Sequence, residues 1–306
     1  MDLSRDMTTT VRLDHADCFD VLATLKPRSV DLVVTSPPYF IGKAYDRSTS
    51  RDDFQAEIAK LMRPLKRVLK PGGSICWQVG YHVDDGDILP LDWCIQNVFS
   101  KHKSFTLRNR IIWTFGHGEH CTRRFSGRHE TILWYSLSET PKFNLDDVRV
   151  PQKYPGKRHY RGPHKGEYSG NPLGKNPGDV WEIPNVKANH IEKTEHPCQF
   201  PVALASRLIQ ALCPTGGTVL DPYMGSGSTA VASVLLGRSF VGCDIEATYV
   251  EIAKSRVERA KAGTLKVRPD EPVSTPDARM AVAQRPDHFL APQELSPEDE
   301  TPEMAA

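Results

Sequence analysis

The chain has 306 residues, 39% hydrophobic and 25% charged, enough for one large α/β domain with an inserted module. No run of about 18 apolar residues occurs and residues 1–10 are polar, which argues against a membrane span and a secretory leader. The net charge of +1 conceals an asymmetry: residues 101–200 carry 17 Lys/Arg against 10 Asp/Glu, and residues 269–306 carry 2 against 9, so only the middle suggests a polyanionic partner.

The first predicted elements are strands at Thr9–Leu13 and Val30–Thr35 with a helix at Cys18–Leu25 between them, a βαβ unit. Val30–Thr35 is apolar and β-branched without alternation, the pattern of a strand buried on both faces of a parallel sheet. Asp52–Leu69 carries a helical stripe at Phe54, Ile58, Leu61, Met62, Leu65, Val68 and Leu69, and Pro64 within it predicts a kink or a restart. Pro71-Gly72-Gly73 is expected to end that helix before a strand at Ser74–Val79. A helix at Leu89–Phe99 and strands at Arg110–Phe115 and Glu130–Ser136 follow. From Pro141 to Pro197 periodicity gives way to Pro, Gly, Asn, His and basic residues, an inserted loop-rich module. The α/β pattern resumes with a helix at Val202–Ala211, a strand at Thr218–Leu220, a helix at Ser228–Leu236, a strand at Phe240–Cys243 and a helix at Thr248–Ala262. Beyond Pro269 the Pro-rich acidic composition predicts a disordered tail. Seven scattered cysteines (Cys18, Cys76, Cys94, Cys121, Cys198, Cys213, Cys243), never spaced C-x-x-C, read as reduced thiols of a cytoplasmic protein.

Two segments carry chemistry. Val219–Thr229 joins a strand to a helix through a glycine turn, where Gly225 and Gly227 let a ligand approach the backbone and the helix start offers free amides. The next strand ends in Asp244, placed to take the two hydroxyls of an adenosine ribose. Alone, Gly225-x-Gly227-x-x-Ala230 suits a dinucleotide as well, which leaves a nicotinamide-dependent oxidoreductase open. Asp221 leans the other way: a carboxylate at the strand end is unfavourable beside a pyrophosphate and suits a cationic ligand such as S-adenosylmethionine.

The second segment is Thr35-Ser36-Pro37-Pro38-Tyr39-Phe40. Two prolines fix φ and lack amide donors, so their carbonyls are held rigidly, while Ser36 adds a hydroxyl and Tyr39 and Phe40 add flat faces. Methylation of a base amine needs this combination. The amine lone pair is delocalised into the ring; two acceptors gripping its hydrogens favour a tetrahedral nitrogen and aim the lone pair at the methyl donor. An aromatic face stacks on a base that has left the duplex, and positioning rather than a strong base carries the rate.

Together T-S-P-P-Y (35–39), D-P-Y-M-G-S-G-S-T (221–229) and His196-Pro197-Cys198-Gln199-Phe200-Pro201 resemble the amino-methylating DNA methyltransferases of bacteria and phages, over roughly residues 10–260. The Ser-Pro-Pro-Tyr turn precedes the glycine loop, as in the circularly permuted β class of that family. The resemblance implies an α/β, Rossmann-like fold: a seven-stranded mixed, mostly parallel sheet with helices on both faces, and S-adenosyl-L-methionine above the strand C-termini. It implies a catalytic half at 1–140, a target-recognition region at 141–195, a cofactor-binding half at 196–265 and an acidic tail at 266–306. It assigns Ser36, Pro37, Pro38 and Tyr39 to the target amine and base, and Asp17 to the cofactor adenine. Asp221, Gly225 and Gly227 fall around the methionine part of the cofactor, Asp244 at the ribose with Glu246 as a substitute, and Phe200 against the cofactor; Tyr223, Ser228 and Thr229 are further cofactor-binding residues, Thr229 also capping the helix.

Double-stranded DNA is the implied partner, met by Lys153, Lys157, Arg158, Arg161 and Lys165 among Tyr154, His159, Tyr160 and Tyr168, and by Arg123, Arg124 and Arg128. A second copy of the chain and a cognate restriction endonuclease are partners left open. So is the base: serine in the first position of the turn accompanies cytosine N4 in this family but also occurs in adenine enzymes of the β class. Methyltransferases of RNA or of protein glutamine are the remaining alternatives, although the glutamine enzymes resemble Asn-Pro-Pro-Tyr where this chain has Ser36. His117, His120, Cys121 and His129 match no paired-ligand spacing, so no metal is predicted.

Overall fold

The computed structural model describes residues 9–39, 50–116, 118, 120–154, 156–269 and 279. In chain order its elements are β1 Val11–His15, α1 Cys18–Thr24, β2 Val30–Thr35, α2 Arg51–Val68, β3 Leu69–Val79, β4 Tyr81–Asp84, β5 Asp87–Pro90, α3 Leu91–Lys101, β6 Thr106–Thr114 and β7 His129–Ser136. A 3₁₀ turn at Asp146–Val148, β8 Val180–Glu182, α4 Val202–Leu212, β9 Thr218–Asp221, α5 Ser228–Leu235, β10 Ser239–Asp244 and α6 Ala247–Lys261 complete them.

Every residue of β2 is buried because the strand is covered on both faces. Leu32 and Val34 join a core that includes residues of α4, α5 and α6. Val33 points the other way, into a core with residues of α1, α2 and α3. The same division runs through the eight-stranded sheet, ordered β1-β10-β9-β2-β3-β7-β6-β8. Among its described strands, β7 alone runs against the others. The chain therefore begins beside its own late strands: Val11–His15 pairs in parallel with Phe240–Asp244. The described residues up to 269 belong to one compact unit, Met1–Glu271.

Several expectations need correction. The sheet has eight strands rather than seven, because Val180–Glu182 from the inserted module adds in parallel to β6. Three residues are too few for a periodicity to register. The strand expected from Ser74 starts at Leu69; Val30 pairs with Leu69 and Leu32 with Ser74, so Pro71-Gly72-Gly73 is absorbed as an irregularity at the strand entrance. The helix does not restart at Pro64: α2 runs as one element from Arg51 to Val68, with Leu61, Met62, Leu65 and Val68 buried on either side of the proline; burial outweighs the missing amide. The hairpin of β4 and β5 has no counterpart among the predicted elements, since it forms a separate two-stranded sheet of short, mostly exposed strands. Phe40, His117 and, apart from Arg279, the tail beyond Pro269 lie outside the described residues. No described helix is long and apolar enough to cross a membrane.

At the N-terminal ends of the central strands Asp31 is buried and pinned. Its carboxylate accepts from Lys70 Nζ at 2.5 Å, from Lys142 Nζ at 3.4 Å and from the amide of Thr218 at 2.9 Å. This ties β2 to β9 and to the start of the inserted module, which leaves the opposite, C-terminal ends free to carry a site.

Candidate active site

The two motifs meet because β2 and β9 are parallel neighbours, Leu32 opposite Val219 and Val33 opposite Leu220. At their C-terminal ends Thr35 donates through Oγ1 to Asp221 at 2.9 Å. Thr229 Oγ1 donates to the other Asp221 oxygen at 2.7 Å, and the Tyr223 amide donates at 3.1 Å. Residues 186 positions apart are thereby stapled. Asp221 itself has no exposed surface, and burial pushes its carboxyl up to about 6 against the hydrogen bonds of Thr229 and Thr35. It stands behind the cleft wall, fully occupied by its own chain.

In front of the staple lies a cleft with about 1270 Å³ of empty space, part of it open to solvent. Ser36, Pro37, Pro38 and Tyr39 form one side; Tyr223, Gly225 and Ser228 from the glycine loop form another, with Asp17, Phe200 and Asp244 around them. Asp17 caps α1, its side chain accepting from the Phe19 amide at 2.9 Å. Asp244 accepts from the amides of Gly225 at 3.0 Å and Glu246 at 2.9 Å, and burial raises its pKa. Glu246 is exposed and is absent from the cleft lining.

Both loop glycines are demanded by geometry. Gly225 has φ 50°, and a Cβ there would stand 2.7 Å from His196 Nε2; Gly227 has φ 77°, and its Cβ would stand 2.7 Å from Ala253 Cβ. Gly227, left-handed, is the N-cap of α5, so the cap expected of Thr229 is not made. Thr229 is buried with its hydroxyl committed to Asp221, and neither residue lines the cleft.

Side chains without a sequence signal of their own complete the cleft. Phe54, Glu57 and Ile58 come from α2, whose stripe reads as core, and Tyr249 comes from α6. His196 packs edge-on to Tyr249, with ring centroids 4.5 Å apart; burial, then Lys193 and Arg256, pull its pKa down to about 4, so it is a neutral imidazole near pH 7. Arg256, buried behind the loop, donates to the Ser226 carbonyl at 2.7 Å. His196 opens the His-Pro-x-Gln-Phe-Pro segment; the others are marked only by their placement relative to the motifs in the folded chain, which no local pattern reports.

A second cavity, with about 1440 Å³ of empty space including open solvent, adjoins the first and shares Tyr39, Cys198, Gln199 and Phe200 with it. Gln78, Trp113, Phe115, Arg124, Glu130 and Lys187 line its remainder. Tyr39 lies at the junction. Its hydroxyl is 3.2 Å from Ser36 Oγ and donates to Gln78 Oε1 at 3.2 Å; Gln78 Nε2 in turn donates to Glu130.

The predicted basic residues are distributed unequally. Arg124 lines the second cavity and sits 5.9 Å over the Tyr81 ring, Arg128 donates to the Gly127 carbonyl at 2.9 Å, and Arg123 is exposed. Lys153, Lys157, Arg158, Arg161 and Lys165 are all exposed on one segment, together with Tyr154, Tyr160 and Tyr168. That segment folds back on itself: Arg158 bridges Tyr168, and the Ser169 amide donates to the Lys157 carbonyl at 2.9 Å. Arg158 stacks 3.9 Å over the Tyr168 ring and donates to the Gly166 carbonyl, so its guanidinium is partly spent within the loop. Among the described residues no group of three or more His, Cys, Asp or Glu side chains is placed to hold a metal ion.

A Rossmann-like sheet, a Ser-Pro-Pro-Tyr turn and a glycine loop meeting at its strand ends define the class. The model of the N6/N4 DNA methylases matches residues 30–255, and the chain belongs to that family of DNA amino-methyltransferases. Among its relatives, it is 45% identical over 243 residues to the type II methyltransferase M.BglII of Bacillus subtilis, spanning 79% of this chain and 67% of that protein. Among solved structures, the PvuII DNA methyltransferase (cytosine-N4-specific) shares the fold with a TM-score of 0.66 at 17% identity, over 84% of this chain and 93% of that one. A Thermus thermophilus protein described as a DNA modification methylase, TTHA0409, solved in complex with S-adenosyl-L-methionine, aligns with a TM-score of 0.58 at 26% identity, over 84% and 97%.

Proposed function

We propose that the chain transfers the methyl group of S-adenosyl-L-methionine to the exocyclic amino group of a flipped base, adenine N6 or cytosine N4, in double-stranded DNA. The observation that carries this reading is one cleft shared by the Ser36 turn and the Gly225 loop. The donor set of that cleft fits the cofactor. It presents the carboxylates of Asp17, Glu57 and Asp244 and neutral aromatic walls, with no Lys or Arg among its described lining residues. A dinucleotide pyrophosphate would meet the negative charges of these three carboxylates; a sulfonium carrying an ammonium group would meet complementary charge. This sets the oxidoreductase alternative aside.

In this reading Asp244 takes the ribose hydroxyls, Asp17 the adenine amino group, and Phe200 and Tyr223 pack along the ligand. Gly225, Gly227 and Ser228 shape the loop around its methionine part. Asp221 and Thr229 act from behind, by holding the loop against the turn. The bound cofactor supplies an electrophilic methyl group. Ser36 and the Pro37 carbonyl accept the two hydrogens of the target amine, Pro38 stiffens the turn, and Tyr39 offers its ring to the base. The second cavity receives the base, with Arg124 and Arg128 near its rim. The exposed segment of Lys153, Lys157, Arg161 and Lys165, with Arg158, meets phosphates and base edges, which makes residues 141–195 the target-recognition region between a catalytic half at 1–140 and a cofactor half at 196–265.

The test is transfer of labelled methyl from S-adenosyl-L-methionine to unmodified phage genomic DNA, with cellular RNA and total protein as competing acceptors. Label in DNA alone is expected, and sequencing of the product then reads base and site together. Label confined to RNA or protein, or none at all, would overturn the reading.

A further inference from the structure

The family reading gives Ser36 the task of accepting a hydrogen, yet a serine hydroxyl is donor and acceptor alike. Something must decide which way it points. Ser36 Oγ lies 3.2 Å from Tyr39 Oη, a contact in which either oxygen can donate. Behind Tyr39 the ambiguity ends: Tyr39 Oη donates to Gln78 Oε1, and Gln78 Nε2 donates to a carboxylate oxygen of Glu130. The four residues come from the β2 turn, β3 and β7.

We propose that Gln78 and Glu130 are positioning residues for methyl transfer, which orient the hydrogens of Tyr39 and Ser36 so that the Ser36 oxygen faces the cleft as an acceptor. The inference rests on the proposed transfer to a base amine. An ionised Glu130 can only accept, so it holds the Gln78 amide with its NH₂ toward the carboxylate and its carbonyl toward Tyr39. Tyr39 must then donate to Gln78, and its oxygen is left to accept from the Ser36 hydroxyl. With its proton turned inward, Ser36 presents lone pairs outward. A protonated Glu130 permits the reverse order. The amide flips, Tyr39 donates to Ser36, and the Ser36 proton turns into the cleft, where it opposes an amine hydrogen. The chain is an orienting device and carries no proton, because passage through Gln78 would require an imidic acid.

Glu130 is set to change state in the working range. Burial raises its carboxyl from 4.5 to about 7, against the Gln78 hydrogen bond and the Lys187 charge. From other elements, Tyr39, Tyr81, Arg124, Lys187, Lys193 and Cys198 share its cavity, and His129 is its neighbour on β7.

The experiment measures single-turnover transfer of labelled methyl from S-adenosyl-L-methionine to unmodified phage genomic DNA, between pH 5.5 and 8.5. Wild type should lose rate as pH falls below about 7. Glu130→Gln should be slower by about tenfold or more, without that acid limb, and with unchanged cofactor affinity by calorimetry. Gln78→Met, which breaks the chain while leaving Glu130 in place, should lose the limb as well. In a Tyr39→Phe background Glu130→Gln should add no further loss. A readout independent of turnover follows from the raised carboxyl: protonation favours the folded state, so the stability it provides is present below 4.5 and lost as pH rises through about 7. The wild-type Tm should therefore fall relative to Glu130→Gln over that interval. An acid limb retained in both variants, or losses that add in the Tyr39→Phe background, would overturn this inference alone. A wild type that labels no DNA would overturn it together with the reading it rests on.

Discussion

At the scale of single residues, the site separates groups that face the cleft from groups that hold it. Asp244 faces it while already accepting two amides, so its loss removes a carboxylate from the cleft and two hydrogen bonds to the backbone around it. Asp244→Ala should weaken S-adenosyl-L-methionine binding by roughly 1.5–3 kcal/mol for each charge-assisted hydrogen bond lost, read by titration calorimetry; an unchanged affinity would remove it from the ribose. Tyr39→Ala should behave in the opposite way. Tyr39 stands at the junction with the second cavity, so its loss should cut methyl transfer by at least about tenfold while cofactor affinity stays near wild type. Equal loss of both would make the tyrosine structural. Asp221 illustrates the limit of reading roles from a motif. Its charge near the loop is legible in sequence, but its burial behind Thr35, Thr229 and Tyr223 depends on two strands from opposite ends of the chain.

At the scale of elements, β2 and β9 are joined at both ends, by Thr35 and Asp221 at one and by Asp31 and Thr218 at the other. Burial alone would raise the Asp31 carboxyl; Lys70, the Thr218 amide and Lys142 outweigh it and hold it below the usual carboxylate range. A depressed folded pKa means stability that is present above the unfolded value of 3.8 and lost as pH falls through the lower folded value. Asp31→Asn should therefore cost about 1–3 kcal/mol in urea denaturation at pH 7, with the gap to wild type closing below about pH 4. A gap that persists undiminished at pH 3 would mean that packing, not the ion pairs, is responsible. Elements were most legible where a local rule sufficed. Val30–Thr35 matched its predicted bounds because six consecutive buried residues leave no ambiguity of face. β8, with three residues, and the β4–β5 hairpin were invisible because their pairing partners, not their own composition, make them strands.

At the scale of the whole molecule, the permuted order has a mechanical consequence: β1 completes the sheet beside β10, so the cofactor strands are built from both ends of the unit. A ligand that bridges the Asp17 and Asp244 ends should therefore stabilise the folded chain as a whole. Saturating S-adenosyl-L-methionine should raise Tm, by about 2.7 kcal/mol of linkage at a hundredfold excess over Kd, and NAD should not. A Tm raised by NAD and not by S-adenosyl-L-methionine would return the cleft to the dinucleotide reading. The class of chemistry was written in the residues alone, because a rigid Pro-Pro turn after a buried strand and a glycine turn before a helix are local structures whose backbone geometry follows from their own composition. Which carboxylate faces the cleft and which braces the loop emerged only once the chain was folded, as did the placement of Gln78 and Glu130 behind Tyr39. Those assignments depend on burial and on partners tens to hundreds of positions away, which no window along the chain contains.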